Sequence, residues 1–161
     1  MASSPPRAVL DTSVLLSAER HWLWLLARLG YFEAIWSTYI VGELVRVRVE
    51  HSIARKVPRA VYRERLNALV HSLSEVLLVA DYRQVGASGL LHDPDDDPIL
   101  STALASQAGF IVTFNTRDFP PGDEVLGVRF RTPEAFAAEL YAVHPTAGLS
   151  RQIDAAGRQL P

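Results

Sequence analysis

The 161-residue chain is predicted to form an α/β fold, a three-layer α/β/α sandwich around a central, mostly parallel sheet. Three observations predict it. Short apolar runs of strand length alternate with longer segments of helical spacing. The runs are apolar throughout rather than alternating, as parallel strands covered on both faces require. Acids stand just beyond the ends of several runs, on the edge where open parallel sheets bind their ligands.

Taken in order, Ala8-Val9-Leu10 reads as a buried strand ending at Asp11. Leu23 to Leu29 has helical spacing and stops at Gly30, a suitable C-terminal cap. Phe32 to Trp36 is a second short strand, and Ser37 is a natural N-cap for the stripe Ile40, Val41, Leu44 and Val47. Pro58 suits the first turn of a further helix through Leu66, Leu69, Val70 and Leu73. Leu77 to Ala80 is the next strand. The run Asp93-Pro94-Asp95-Asp96-Asp97-Pro98 then opens a helix through Ile99, Leu100, Ala103 and Leu104, closed by Gly109. Phe110 to Phe114 is the clearest buried strand, and Val128 to Phe130 a short one. Thr132-Pro133-Glu134 carries the N-cap and proline pattern of a helix reaching about Tyr141. The expected division is one domain over 1–142 and a tail over 143–161 that forms a short helix.

Composition narrows the chemistry. With no cysteine, a disulfide framework, a Cys-ligated metal and thiol catalysis are excluded. A hydrophobic fraction of 48% against 21% charged argues for a packed core rather than disorder. No apolar run reaches membrane-spanning length, and Met1 to Pro6 lack the pattern of a signal peptide, so a soluble, cytoplasmic protein is expected. The net charge of −2 conceals an asymmetry: Arg46 to Arg65 holds seven basic residues and two acids, an excess of +5. The remainder is correspondingly acidic, although a basic run is also what a solvated helix face looks like.

Asp11, Glu43, Asp96 and Asp118 are the candidate catalytic acids. Carboxylates sharing one pocket repel and raise one another's pKa, and a divalent cation relieves that repulsion. Oxygen donors without Cys or clustered His favour Mg²⁺ or Mn²⁺ over Zn²⁺. Such a centre suits phosphodiester hydrolysis. Each acid taken singly also fits a cap or turn: Asp95 or Asp97 before Pro98, and Asp118 before Phe119-Pro120.

Val9-Leu10-Asp11-Thr12-Ser13-Val14-Leu15, Ser37 with Gly42-Glu43-Leu44, Asp93-Pro94-Asp95-Asp96 with Ile99 and Ala103, and Val112-Thr113-Phe114-Asn115-Thr116-Arg117-Asp118-Phe119 resemble the PIN-domain nucleases. That family includes the VapC-type ribonuclease toxins of toxin–antitoxin pairs. The resemblance runs in order from about Ala8 to Phe136. It implies a Mg²⁺- or Mn²⁺-dependent endoribonuclease with Asp11, Glu43, Asp96 and Asp118 as the acidic quartet and Asp11, Asp96 and Asp118 as metal ligands. Thr12, Ser13, Thr113 and Asn115 match supporting polar positions. The third acid is placed at Asp96 because Ile99 and Ala103 then fall at the family's apolar offsets, with Asp93 and Asp97 as alternatives. By the same resemblance the partners are an RNA substrate, a small antitoxin and a second copy in a homodimer.

Arg46, Arg48, Arg55 and Lys56, just after Glu43, are the candidate RNA-phosphate contacts. Trp22, Trp24 and Trp36 suit core packing, base stacking or a dimer contact. The five histidines show no ligand spacing. A second reading is a catalytically silent PIN-like module that binds RNA or protein. An Asp-nucleophile phosphatase ranks below both, because Asp11-Thr12-Ser13 lacks a second acid two residues on and Lys56 stands at no strand end.

Overall fold

The computed structural model describes residues 4–74, 78–80, 89–120 and 122–143. Its centre is β1 (Arg7–Leu10), whose Ala8, Val9 and Leu10 lose all contact with solvent. β1 lies parallel to β2 (Glu33–Ser37) on one side and to β4 (Phe110–Val112) on the other, with Val9 opposite both Ile35 and Ile111. β3 (Leu78–Ala80) extends the sheet beyond β2, and β6 (Val128–Arg131) extends it beyond β4, both in parallel register. β5 (Glu124–Val125) closes the far edge antiparallel to β6, giving the order β3-β2-β1-β4-β6-β5.

α1 (Thr12–Leu15) and α2 (Arg20–Arg28) join β1 to β2, and α3 (Thr38–Ala54) and α4 (Arg59–Ser74) lead towards β3. α5 (Asp97–Ala105) precedes β4, and α6 (Pro133–Val143) follows β6. The chain steps one way from β1 to β3 and then back across the sheet to β4. The connecting helices cover both faces of the sheet, and the fold is a three-layer α/β/α sandwich. Phe136 of α6 ties the layers, meeting Phe32 and Phe110 edge-on at 5.0 and 5.1 Å. Among the described residues no helix is long and apolar enough to cross a membrane.

Several expected boundaries shift for identifiable reasons. The strand predicted over Phe110 to Phe114 stops at Val112, because the Thr113 hydroxyl captures the backbone N–H of Asn115 at 2.9 Å and turns the chain. The acid run does not open α5 directly. Asp93 caps a 3₁₀ turn, Pro94–Asp96, and α5 starts after it with Pro98 in its first turn. Ser37 stands at the N-cap of α3 but makes no capping bond, and its hydroxyl is buried without a partner. Pro58 precedes α4 rather than entering it, its carbonyl accepting from the Tyr62 N–H at 3.0 Å. Gly30 closes α2 at φ 80°, and the Thr132 hydroxyl accepts from the Ala135 N–H as α6 begins. β5 was not anticipated: its link to β6 is Leu126-Gly127, both at positive φ, and leucine there gives no turn signal. The predicted tail helix beyond Val143 lies outside the described residues.

Candidate metal centre

Strand order reverses at β1: β2 and β3 lie to one side and β4 to the other. Crevices open at such a switch point, beyond the carboxyl ends of the strands. Asp11 follows β1 directly and Thr113 follows β4, so the topology brings residues a hundred positions apart to one place.

Asp11 is buried, 6% exposed, and three donors hold it. Its Oδ1 accepts the Thr12 N–H at 2.7 Å, while its Oδ2 accepts the hydroxyls of Ser13 at 2.6 Å and Thr113 at 2.7 Å. Each hydroxyl is used twice. Ser13 Oγ accepts the Phe114 N–H at 3.1 Å as Thr113 Oγ1 accepts that of Asn115, which clamps the turn after β4 onto the turn after β1. Thr113→Val keeps the volume but removes a donor from Asp11 and leaves the Asn115 N–H unpaired. The expected cost is about 1–3 kcal/mol, read as a lowered urea midpoint at unchanged slope.

Glu43 comes from the second turn of α3, and the Thr12 hydroxyl donates to its Oε2 at 2.6 Å. Asn115 reaches across to Asp96, its amide nitrogen 3.3 Å from Oδ2, while its own Oδ1 accepts the Asp118 N–H at 3.4 Å. Phe119, fully buried against Phe130 at 5.1 Å, anchors the segment that carries Asp118. Asp93, Asp96 and Asp118 each offer a carboxylate oxygen, and these oxygens lie within 4.8 Å of one another. Asp11 is not in that trio, but its charge acts on it. Burial, followed by the negative charges of Asp11, Asp118, Asp93 and Glu43, pushes the Asp96 carboxyl up to about 7. The other three quartet acids therefore converge on Asp96, joined by Asp93.

The other candidates are placed as follows. Asp97 is turned to a different task, its Oδ2 accepting the Gly89 N–H at 3.1 Å. Arg46 pairs with Glu50 at 3.1 Å and reaches within 3.9 Å of Glu43. Arg48 lies further along α3, Arg55 caps its C-terminal end, and Lys56 beyond it takes a left-handed position (φ 52°). Trp36 is buried within β2. Two residues at the site escaped the sequence reading. Tyr39 donates its phenol proton to the Asp95 carbonyl at 2.8 Å, and burial together with Glu43, Asp95 and Asp96 raises its pKa. Its signal is its position four before Glu43, on the same helix face. Phe114 stays 39% exposed beside the acids, and its apolar character hid it within the predicted strand.

An all-oxygen trio with a charge deficit at Asp96 fits a hard divalent cation. A three-layer parallel α/β sheet with such acids at its switch point is compatible with a metal-dependent nuclease fold. The family model described as PIN domain matches residues 7–117, and the chain belongs to the PIN-domain family. The match includes Asp11, Glu43, Asp93 and Asp96 and ends one residue before Asp118. No curated protein matches the chain.

Proposed function

We propose that the protein is a Mg²⁺- or Mn²⁺-dependent endoribonuclease, the toxin of a toxin–antitoxin pair acting in the cytoplasm. The observation that carries the reading is the convergence of Asp11, Glu43, Asp93 and Asp118 on a half-buried Asp96. A structural role gives no reason to hold five acids there. Asp93, Asp96 and Asp118 would hold the cation, with Asp11 adding its charge from the β1 side. When bound, the cation polarises a phosphoryl oxygen and acidifies an attacking water.

The remaining work belongs to the chain. Ser13, Thr113 and the Thr12 N–H fix Asp11 in one orientation, so its charge points at the crevice without further ordering. Asn115 ties Asp96 to the Asp118 segment, setting their separation. Glu43, held by Thr12, is the acid left to take or give a proton. Arg46, Arg48, Arg55 and Lys56 supply positive charge along α3 for substrate phosphates. A small antitoxin and a second copy in a homodimer belong to this proposal as its protein partners.

The test is cleavage of structured and unstructured RNAs by purified protein with Mg²⁺ or Mn²⁺, set against EDTA. Metal-dependent cutting is expected. No cutting under any metal, with no metal effect on melting temperature, overturns this reading in favour of a silent RNA- or protein-binding module. Thr12→Val provides a finer check: freeing Glu43 lowers the cleavage rate about 10–100-fold while the melting temperature stays within a few degrees.

A further inference from the structure

α2, α3 and α4 enclose a second concavity of 470 Å³, and none of the acids described above lines it. Its wall carries Arg20, Arg48, Arg55 and Arg65, together with the rings of Trp24 and Tyr62. No Asp or Glu is among the described lining residues, and none of the four guanidinium groups has an ion-pair partner among the described residues. Burial and the charge of Arg48 both depress the pKa of Arg20, and burial and Arg20 do the same to His21. Two donors on lining residues, Arg48 Nε and Trp24 Nε1, are buried with no hydrogen-bond partner among the described residues. An unpaired buried donor is expensive, and a site that retains two has a use for an acceptor.

The guanidiniums of Arg48, Arg55 and Arg65, and that of Arg20 beyond its bond to the Ser17 carbonyl, supply planar donor forks for phosphate oxygens. Trp24 and Tyr62 supply ring faces or edges beside them, the combination that holds single-stranded nucleic acid. An acidic peptide would use the cations but gives no role to the aromatic rings. α3 links the two places: Glu43 and His51, which lines the concavity, are eight residues apart, about 12 Å at 1.5 Å per residue. We propose that the α2–α3–α4 concavity is a nucleotide-binding subsite that grips a single RNA strand away from the bond to be cut. This rests on the ribonuclease reading for its substrate, but its test does not need cleavage.

The experiment is fluorescence anisotropy of a labelled 12-mer oligouridylate in EDTA, where the metal-free acids repel phosphate and cutting is suppressed. Wild type is compared with Arg55→Ala/Arg65→Ala and, separately, with Arg48→Gln. The double variant is expected to bind about tenfold or more weakly, with its slope of log affinity against log salt shallower by about 1.4 for two lost phosphate contacts. Binding should also quench tryptophan emission in wild type and do so less in Trp24→Phe. Wild-type affinity and salt slope in both arginine variants overturn the subsite. So does a polyglutamate of equal length that binds as tightly and is weakened by the same substitutions, which would mark a peptide dock. Failure of the nuclease reading looks different: no cutting with Mn²⁺, while the arginine-dependent binding persists.

Discussion

Asp96→Asn is expected to abolish turnover and, unusually for an active-site change, to stabilise the metal-free protein. Burial, together with the charges of Asp11, Asp118, Asp93 and Glu43 around it, lifts the Asp96 pKa from 3.8 to about 7. The ionised form is therefore worse off folded than unfolded. An acid with a raised folded pKa binds its proton more tightly in the native state, so stability is highest below about 4 and is lost as pH rises towards 7. Asparagine is neutral at every pH and keeps an oxygen for the Asn115 amide. Without metal, the variant should melt on the order of a few degrees above wild type at pH 8 and level with it near pH 4. RNA cleavage should fall on the order of 10²–10³-fold. A variant that melts lower than wild type at pH 8 in EDTA would refute the repulsion argument, whatever its activity.

Added Mn²⁺ or Mg²⁺ should reverse that pH trend. A cation held by Asp93, Asp96 and Asp118 competes with the proton on Asp96, so binding releases a proton and weakens about tenfold per pH unit below about 7. A ligand that binds only the native state stabilises it, by about 2.7 kcal/mol at a hundred times its Kd. For a chain of this size that corresponds to roughly 5–10 °C in Tm. The shift should be large at pH 8 and small at pH 5, and nearly absent in Asp96→Asn. Differential scanning fluorimetry across that pH range decides the matter; a metal shift that ignores pH would place the cation away from Asp96.

These predictions depend on a site that was partly legible in the sequence. Asp11 could be located because a fully apolar strand ends at it, and Asp118 because it follows the end of the Phe110 to Phe114 run within a family motif. The family motifs placed Glu43 and Asp96. They could not separate the acids of the run from Asp93 to Asp97, since every one of them suits a helix start. Local backbone geometry divides them: a 3₁₀ turn sets Asp93 and Asp96 beside Asp118 and turns Asp97 to the Gly89 N–H. Likewise the basic segment could be read only as charge. Its division into Arg46, paired with acids, and the unpaired arginines of the concavity follows from where α2 and α4 lie against α3.

The sequence by itself determined the alternation of strands and helices, the buried strands and the four acids that follow strands or lie in helix starts. Hydrophobic runs, caps and breakers are local signals, carried within a few residues of the elements they specify. Only the tertiary structure decided that Asp11 and Thr113 meet, that four carboxylates press on Asp96, and that arginines from three helices face one concavity. Those are distances between residues far apart in the chain. They depend on strand order and crossover hand, which no local pattern encodes.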